Sequence, residues 1–320
     1  MNLALVFSPQ GSQVVGMGRD LAEVSGAARA AFYAADAALG WSVSDACWSG
    51  PQERLDDTRQ TQPCLLTTSV AALRALEERA QVSASVVAGH SVGEYAALVA
   101  AGILELDAAL RLVSRRAELM SGVDVEGGMS AVIGLEREAV EAIVESVGRP
   151  TELVVANDNA PGQIVISGLS QPLESAEELL RQGGARRVIR LPVSGPFHSP
   201  QMAAVAEQLA EAFERETWSD ARIPIMSNVT AEPVTDAGRI RALLAEQVRS
   251  PVEWTRCVQR MAEDGVDVAI ECGAGSALVG MIRRIAPKIR GAAIADRAGL
   301  DAAITLLTGE GAAVPAGARR

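Results

Sequence analysis

The chain has 320 residues, 48% of them hydrophobic, and a net charge of −11 from 29 basic and 40 acidic side chains. That is enough apolar residue to bury a core in one large domain, or in one domain carrying a smaller insertion, so neither a disordered chain nor a disulfide scaffold is needed. The acidic balance argues against a nucleic-acid binder, which must displace counterions with basic side chains, and no apolar run reaches the roughly 18 residues of a transmembrane helix.

The first predicted element is a strand, Leu3-Ala4-Leu5-Val6-Phe7, which runs into the polar turn Ser8-Pro9-Gln10-Gly11-Ser12-Gln13. It carries no basic n-region and no cleavage pattern, so a cytoplasmic protein is expected. Residues 64–80 read as a helix, 82–88 as a buried strand, and 93–101 and 106–120 as helices. The middle then changes character: strand Met129–Ile133, helix 136–147, strands 152–156 and 163–167, helix 172–183, strand 186–191. The order β-α-β-β-α-β is the ferredoxin-like pattern, and Gly127-Gly128 and the Pro192/Gly195/Pro196 stretch punctuate its ends. Further on, Val266–Glu271 reads as a strand, followed by Gly273-Ala274-Gly275 and a helix over 276–285. Alternating strands and helices outside the insert predict a largely parallel sheet. A small domain over 126–195 is thus expected inside a discontinuous domain over 1–125 and 196–306, and the Gly/Ala/Pro/Arg-rich tail 309–320 is expected to be disordered.

The chemistry is narrowed by scarcity. Lys288 is the one lysine, which disfavours a P-loop or a lysine Schiff base. The four cysteines, Cys47, Cys64, Cys257 and Cys272, lack metal spacing and read as small buried apolar residues, so no zinc site is expected. His90 and His198 are the two histidines.

Gly89-His90-Ser91-Val92-Gly93 falls between a β-branched strand and a helix. G-x-S-x-G in that setting is a nucleophile elbow and predicts an α/β-hydrolase-like catalytic domain. Alone, the five-residue pattern arises often by chance, and the strand and helix around it give it weight. The turn exposes the Ser91 hydroxyl at a helix N-terminus, where the Val92 N–H is placed to donate to an oxyanion. His90 adjoins Ser91 and points away from it, so His198, in a loop stiffened by Pro192 and Pro196, is the candidate base. No carboxylate stands out as a third member, which leaves a dyad oriented by a backbone carbonyl.

Taken together these segments resemble the malonyl-CoA:acyl-carrier-protein transacylase family, whose fold also serves as the acyltransferase of polyketide synthases. Phe7 through Gln13 resembles the family's F-P-G-Q-G-S-Q, Thr61-Gln62-Pro63 its T-Q-P, and Gly89 through Tyr95 its G-H-S-[LV]-G-E-[YF]. Arg116 through Met120 resembles R-G-x-x-M, and Asn157 through Gln163 resembles N-x-N-x-P-G-Q. Pro196-Phe197-His198-Ser199 resembles its A-F-H-S segment, Gln247 through Trp254 its Q-L-x-x-P-V-x-W, and Glu271 through Gly275 its E-x-G-P-G. The agreement runs in order from about residue 3 to 300. Pro9, Ala117 and Ala274 depart from the pattern, and Pro9 restricts the backbone beside Gln10.

The resemblance implies a two-step transfer from malonyl-CoA to acyl carrier protein, with Ser91 as nucleophile and His198 as base, in a monomer without cofactor or metal. It implies oxyanion donors at Gln10 and Val92, a main-chain carbonyl of Gln247 on His198, and Gln62 in the pocket. Arg116 would grip the free carboxylate of malonyl. Without the resemblance it reads as one more solvated helix arginine beside Arg115. Phe197 would leave little room at the substrate's C2. Docking an acidic carrier on an acidic chain calls for a local basic patch: Arg186, Arg187 and Arg190, or Arg283, Arg284, Lys288 and Arg290. A stand-alone polyketide acyltransferase and a serine hydrolase or thioesterase are the competing readings.

Overall fold

A computed structural model describes residues 1–309; the tail from residue 310 lies outside the described residues. Two sheets organise the chain. The first has six strands: β1 (Leu3–Phe7), β2 (Ala84–Gly89), β7 (Ile225–Met226), β8 (Pro233–Val234), β9 (Val268–Cys272) and β10 (Arg290–Ile294). Their order is β10-β9-β1-β2-β7-β8, parallel throughout except for the closing β7–β8 pair. β1 is buried at every residue, as expected for a parallel strand covered on both faces.

The second sheet holds β3 (Gly127–Ile133), β4 (Leu153–Ala160), β5 (Gln163–Leu169) and β6 (Arg187–Arg190) in the order β4-β5-β3-β6, antiparallel at every pairing. Helices Arg137–Val147 and Ser170–Gln182 pack Val140, Val144, Leu173, Ala176 and Leu180 onto one face of it. The fold is therefore an α/β-hydrolase-like parallel sheet with a ferredoxin-like insert. The small sheet is tied to the rest of the chain where Val252, outside the strands of the first sheet, pairs with β4, through Asp158 N–H to the Val252 carbonyl and Val252 N–H to the Ala156 carbonyl.

The predicted strands and helices recur within a few residues, with one informative exception. The helix expected to start after Pro63 spans Thr58–Arg79, with Pro63 inside it. Pro63 is the sixth residue of the helix, so the Arg59 carbonyl lacks its i+4 donor there. Asp57 caps the true start by accepting from the Arg59 N–H, and that signal outweighs the proline.

Candidate active site

Ser91 lies between β2 and the helix Gly93–Ala100 with φ 53°. The left-handed conformation falls on the serine, and the two glycines serve close approach instead. A Cβ at Gly89 would lie 1.9 Å from the Gly93 carbonyl carbon, and one at Gly93 would lie 2.2 Å from the Phe7 oxygen. The elbow thus needs glycines because the turn folds back on itself and against β1. Strained backbone of this kind costs of order 1–3 kcal/mol and gathers at functional sites. His198 shows the same conformation, φ 56°.

The Ser91 Oγ is 2.7 Å from His198 Nε2, and His198 Nδ1 is 2.8 Å from the Gln247 carbonyl oxygen. A carbonyl can only accept, so Nδ1 carries the hydrogen and Nε2 presents its lone pair to the serine hydroxyl. Burial first, and then the Arg116 charge, push His198 down to about 3, so the imidazole is neutral and its Nε2 unprotonated across the physiological range. His90 points the other way, with its Nε2 2.7 Å from Asn159 Oδ1.

Arg116 is no solvated arginine. It is 1% exposed and donates to Gln62 Oε1 at 2.7 Å, Gln247 Oε1 at 3.2 Å and Ser91 Oγ at 3.0 Å. Its guanidinium lies over the Tyr95 ring, 5.9 Å from the centroid. Among the described residues no carboxylate forms an ion pair with it, and its Nε has no partner. Burial holds its pKa below the ordinary value. A buried cation with no ion-paired carboxylate, 3.0 Å from a serine hydroxyl, has the chemistry to pair with a carboxylate brought to it.

A cleft of about 560 Å³ opens above this cluster, lined by Pro9, Gln10, Ser91, Met120, Met129, Asn157, Phe197 and His198 among others. Arg116, Gln62 and Gln247 are buried and do not line it; Arg116 meets the cleft through its hydrogen bond to the Ser91 hydroxyl. Gln62 is fully buried and holds Arg116 instead of lining the cleft. Among the described residues the Gln10 and Val92 amides find no internal acceptor, whereas the Gly93 and Glu94 amides are turned to the carbonyls of His90 and Ser91. Pro9 leaves Gln10 on the cleft wall.

Three contributors went unread in the sequence. Asn228 accepts the Ser91 N–H at 2.7 Å and donates to the Gly89 carbonyl at 2.7 Å; no motif flagged it. Glu94, inside the serine motif, accepts the Asn228 N–H at 2.6 Å and a hydrogen bond from Gln247 Nε2. Burial pushes its carboxyl up to about 8 against those bonds and the Arg116 charge. The Gln247 side chain is the third: the sequence reading asked only for its carbonyl, yet Nε2 also donates to the Ser91 carbonyl at 3.0 Å.

A serine–histidine pair on a strand-turn-helix elbow, in an α/β-hydrolase-like sheet and over a buried guanidinium, defines an acyl-group-transferring serine enzyme. Residues 4–300 match the family described as acyl transferase domain, and the chain belongs to it. It is 39% identical over 311 residues to the malonyl CoA-acyl carrier protein transacylase of Bacillus subtilis, covering 96% of this chain and 98% of that one. It is 37% identical over 305 residues to the Escherichia coli protein of the same name, covering 95% and 99%. Among solved structures, an acyl carrier protein S-malonyltransferase from Vibrio cholerae superposes with a TM-score of 0.91 at 39% identity, over 95% of this chain and all of that one. A malonyl-transacylase in complex with its type II PKS acyl-carrier protein superposes with a TM-score of 0.92 at 36% identity, over 97% and 100%.

Proposed function

We propose that the protein transfers malonyl from malonyl-CoA to the phosphopantetheine thiol of acyl carrier protein, through a malonyl ester on Ser91, and so supplies fatty-acid synthesis. The observation that carries this reading is Arg116: a buried guanidinium with no carboxylate of its own, 3.0 Å from the nucleophile.

In the first half-reaction the Ser91 Oγ attacks the thioester carbonyl and its proton passes to His198 Nε2. The carbonyl oxygen takes the negative charge and accepts from the Gln10 and Val92 N–H groups, one such donor being worth roughly 3–4 kcal/mol. The C–S bond breaks, and His198 returns its proton to the departing thiolate. The carrier's thiol then gives its proton to His198 and attacks the malonyl ester, and the ester C–O bond breaks with His198 returning that proton to Ser91, which leaves as the alcohol. Arg116 pairs with the malonyl carboxylate, Gln62 holds Arg116, the Gln247 carbonyl orients His198, and Phe197 limits room at C2. Both half-reactions use side chains and amides of this chain alone, so the reading needs no cofactor or metal, and a cytoplasmic setting suits it.

A second carrier class, that of polyketide synthesis, is favoured by the superposition on a malonyl-transacylase held by its type II PKS carrier. The test is brief incubation with malonyl-CoA and mass spectrometry of the intact chain. One malonyl group on Ser91 is expected, absent from Ser91→Ala. An acyl group on a cysteine, or transfer without any acylated chain, overturns the mechanism.

A further inference from the structure

Glu94 is the unabsorbed residue of the serine motif. It is 4% exposed, on the first turn of the helix that follows the elbow, and touches neither the cleft nor the serine hydroxyl. One carboxylate oxygen accepts the Asn228 backbone N–H and the other accepts from Gln247 Nε2. Each partner continues to the reacting groups. Asn228 ties down the Ser91 N–H and the Gly89 carbonyl. Gln247 ties the Ser91 carbonyl through Nε2, Arg116 through Oε1 and His198 through its main-chain carbonyl.

The amide of Gln247 has two ends, and its direction decides whether the network closes. Arg116 can only donate and the Ser91 carbonyl can only accept, so Oε1 must face the guanidinium and Nε2 the elbow. A flipped amide would set donor against donor and acceptor against acceptor. Glu94 supplies the acceptor that completes the Nε2 end. We propose that Glu94 is a positioning residue for the transfer, a buried clamp that fixes the Gln247 amide and Asn228 and thereby holds the Ser91 elbow, the His198 carbonyl and Arg116 in one register. The inference rests on Ser91 being the nucleophile and adds the element that keeps nucleophile and base aligned. Misplacement of reacting groups by about 1 Å costs as much as 100-fold in rate, so a clamp at this point acts on the rate constant.

The test is single-turnover acylation of the full chain by saturating malonyl-CoA, read by quenched-flow mass spectrometry as a rate constant and a final fraction of acylated Ser91. Glu94→Met keeps the length and removes both acceptors. It is expected to lower the rate constant by about 30-fold with the final fraction unchanged. Gln247→Met leaves the main-chain carbonyl on His198 and removes the amide, and a similar loss is expected. The double variant should be no more than about twofold slower than the slower single, because both changes open the same link. Glu94→Gln restores one acceptor and should recover at least about threefold of the loss. Acylation at the wild-type rate in Glu94→Met, a reduced final fraction at an unchanged rate constant, or fully multiplicative losses would each overturn the proposal. If Glu94→Met does not fold, Gln247→Met decides: an unchanged rate overturns the clamp and a loss of about 30-fold upholds it. Absence of malonyl on Ser91 in the wild-type protein would instead bring down the functional reading, so the two failures are told apart.

Discussion

Arg116 is where charge, burial and chemistry meet. Its guanidinium is buried without an ion-paired carboxylate, so in its proposed role a malonyl carboxylate would gain a bidentate partner, while an acetyl group would leave the cation unpaired at roughly 3–5 kcal/mol. Arg116→Ala is therefore expected to lose malonyl transfer by several hundred-fold or more and to gain acetyl transfer, the two rates moving in opposite directions. Arg115, exposed and paired with Glu118, is the control, and Arg115→Ala should change neither rate. Equal losses on both substrates in Arg116→Ala would mean that the residue supports the elbow without reading the carboxylate. His198 gives a second test at this scale. A folded-state value near 3, below the ordinary 6.5, keeps Nε2 unprotonated at all pH values above the lower figure. Acylation should accordingly hold at pH 5.5 to within about twofold of its neutral-pH rate, where an unperturbed imidazole would have lost about tenfold. A fall in burst rate centred on pH 6.5 would show that the base is solvated in the working enzyme. The same depression makes the folded state favour neutral His198, so this residue's contribution to stability is present above pH 6.5 and is lost as pH falls from 6.5 towards 3.

The strand-turn-helix unit around Ser91 depends on two glycines for separate close approaches, and the cost of filling them follows from the neighbours. In Gly93→Ala the new methyl meets a backbone oxygen of Phe7 that cannot swing aside, so a loss of about 3 kcal/mol or more is expected, together with slower acylation, since Phe7 leads directly into Gln10. Gly280, in the helix Ala277–Ile285, has open space where a Cβ would go. Gly280→Ala should stabilise by up to about 1 kcal/mol through helix propensity alone. Thermal melts of the two variants should move in opposite directions. This unit also marks how far the sequence could be read. The Ser91 elbow is legible because G-x-S-x-G is a local pattern with local causes, and its contact with His198 is legible because histidine is scarce. Arg116 and Gln62 became legible through the family pattern, since nothing in their own neighbourhoods says that a helix arginine is buried. Asn228 stayed hidden: its partners, Gly89 and Ser91, lie about 140 residues away in the chain, and no local periodicity encodes a contact across a sheet. Glu94 was visible as a letter of the motif, while its two acceptor bonds depend on tertiary partners.

At the scale of the molecule, a chain of net charge −11 must present cations locally to an acidic carrier. Both candidate clusters are partly engaged. Arg190 pairs with Glu177 at 3.1 Å, Arg284 donates to Gln163 Oε1 at 2.8 Å, and Arg290 lies 3.8 Å from Asp267. Arg186, Arg187, Arg283 and Lys288 form no ion pair among the described residues. Arg187 stands on β6, the edge strand of the small sheet, and the chain leaves β6 directly into Leu191, Pro192 and Val193 on the cleft wall. A carrier that threads its phosphopantetheine arm into the cleft would bring its acidic surface against that edge. Arg187→Glu is therefore expected to slow the second half-reaction, transfer from malonyl-Ser91 to the carrier, by about tenfold at low salt, with the difference shrinking as ionic strength rises. Acylation by malonyl-CoA should stay within about twofold of wild type, because Arg187 lies outside the cleft and away from the proposed nucleophile, base and oxyanion donors. Lys288→Glu, at the other cluster, serves as the comparison. If it slows carrier transfer while Arg187→Glu does not, the docking face lies beyond the helix Ala277–Ile285 and the small sheet's edge is only a solvated surface.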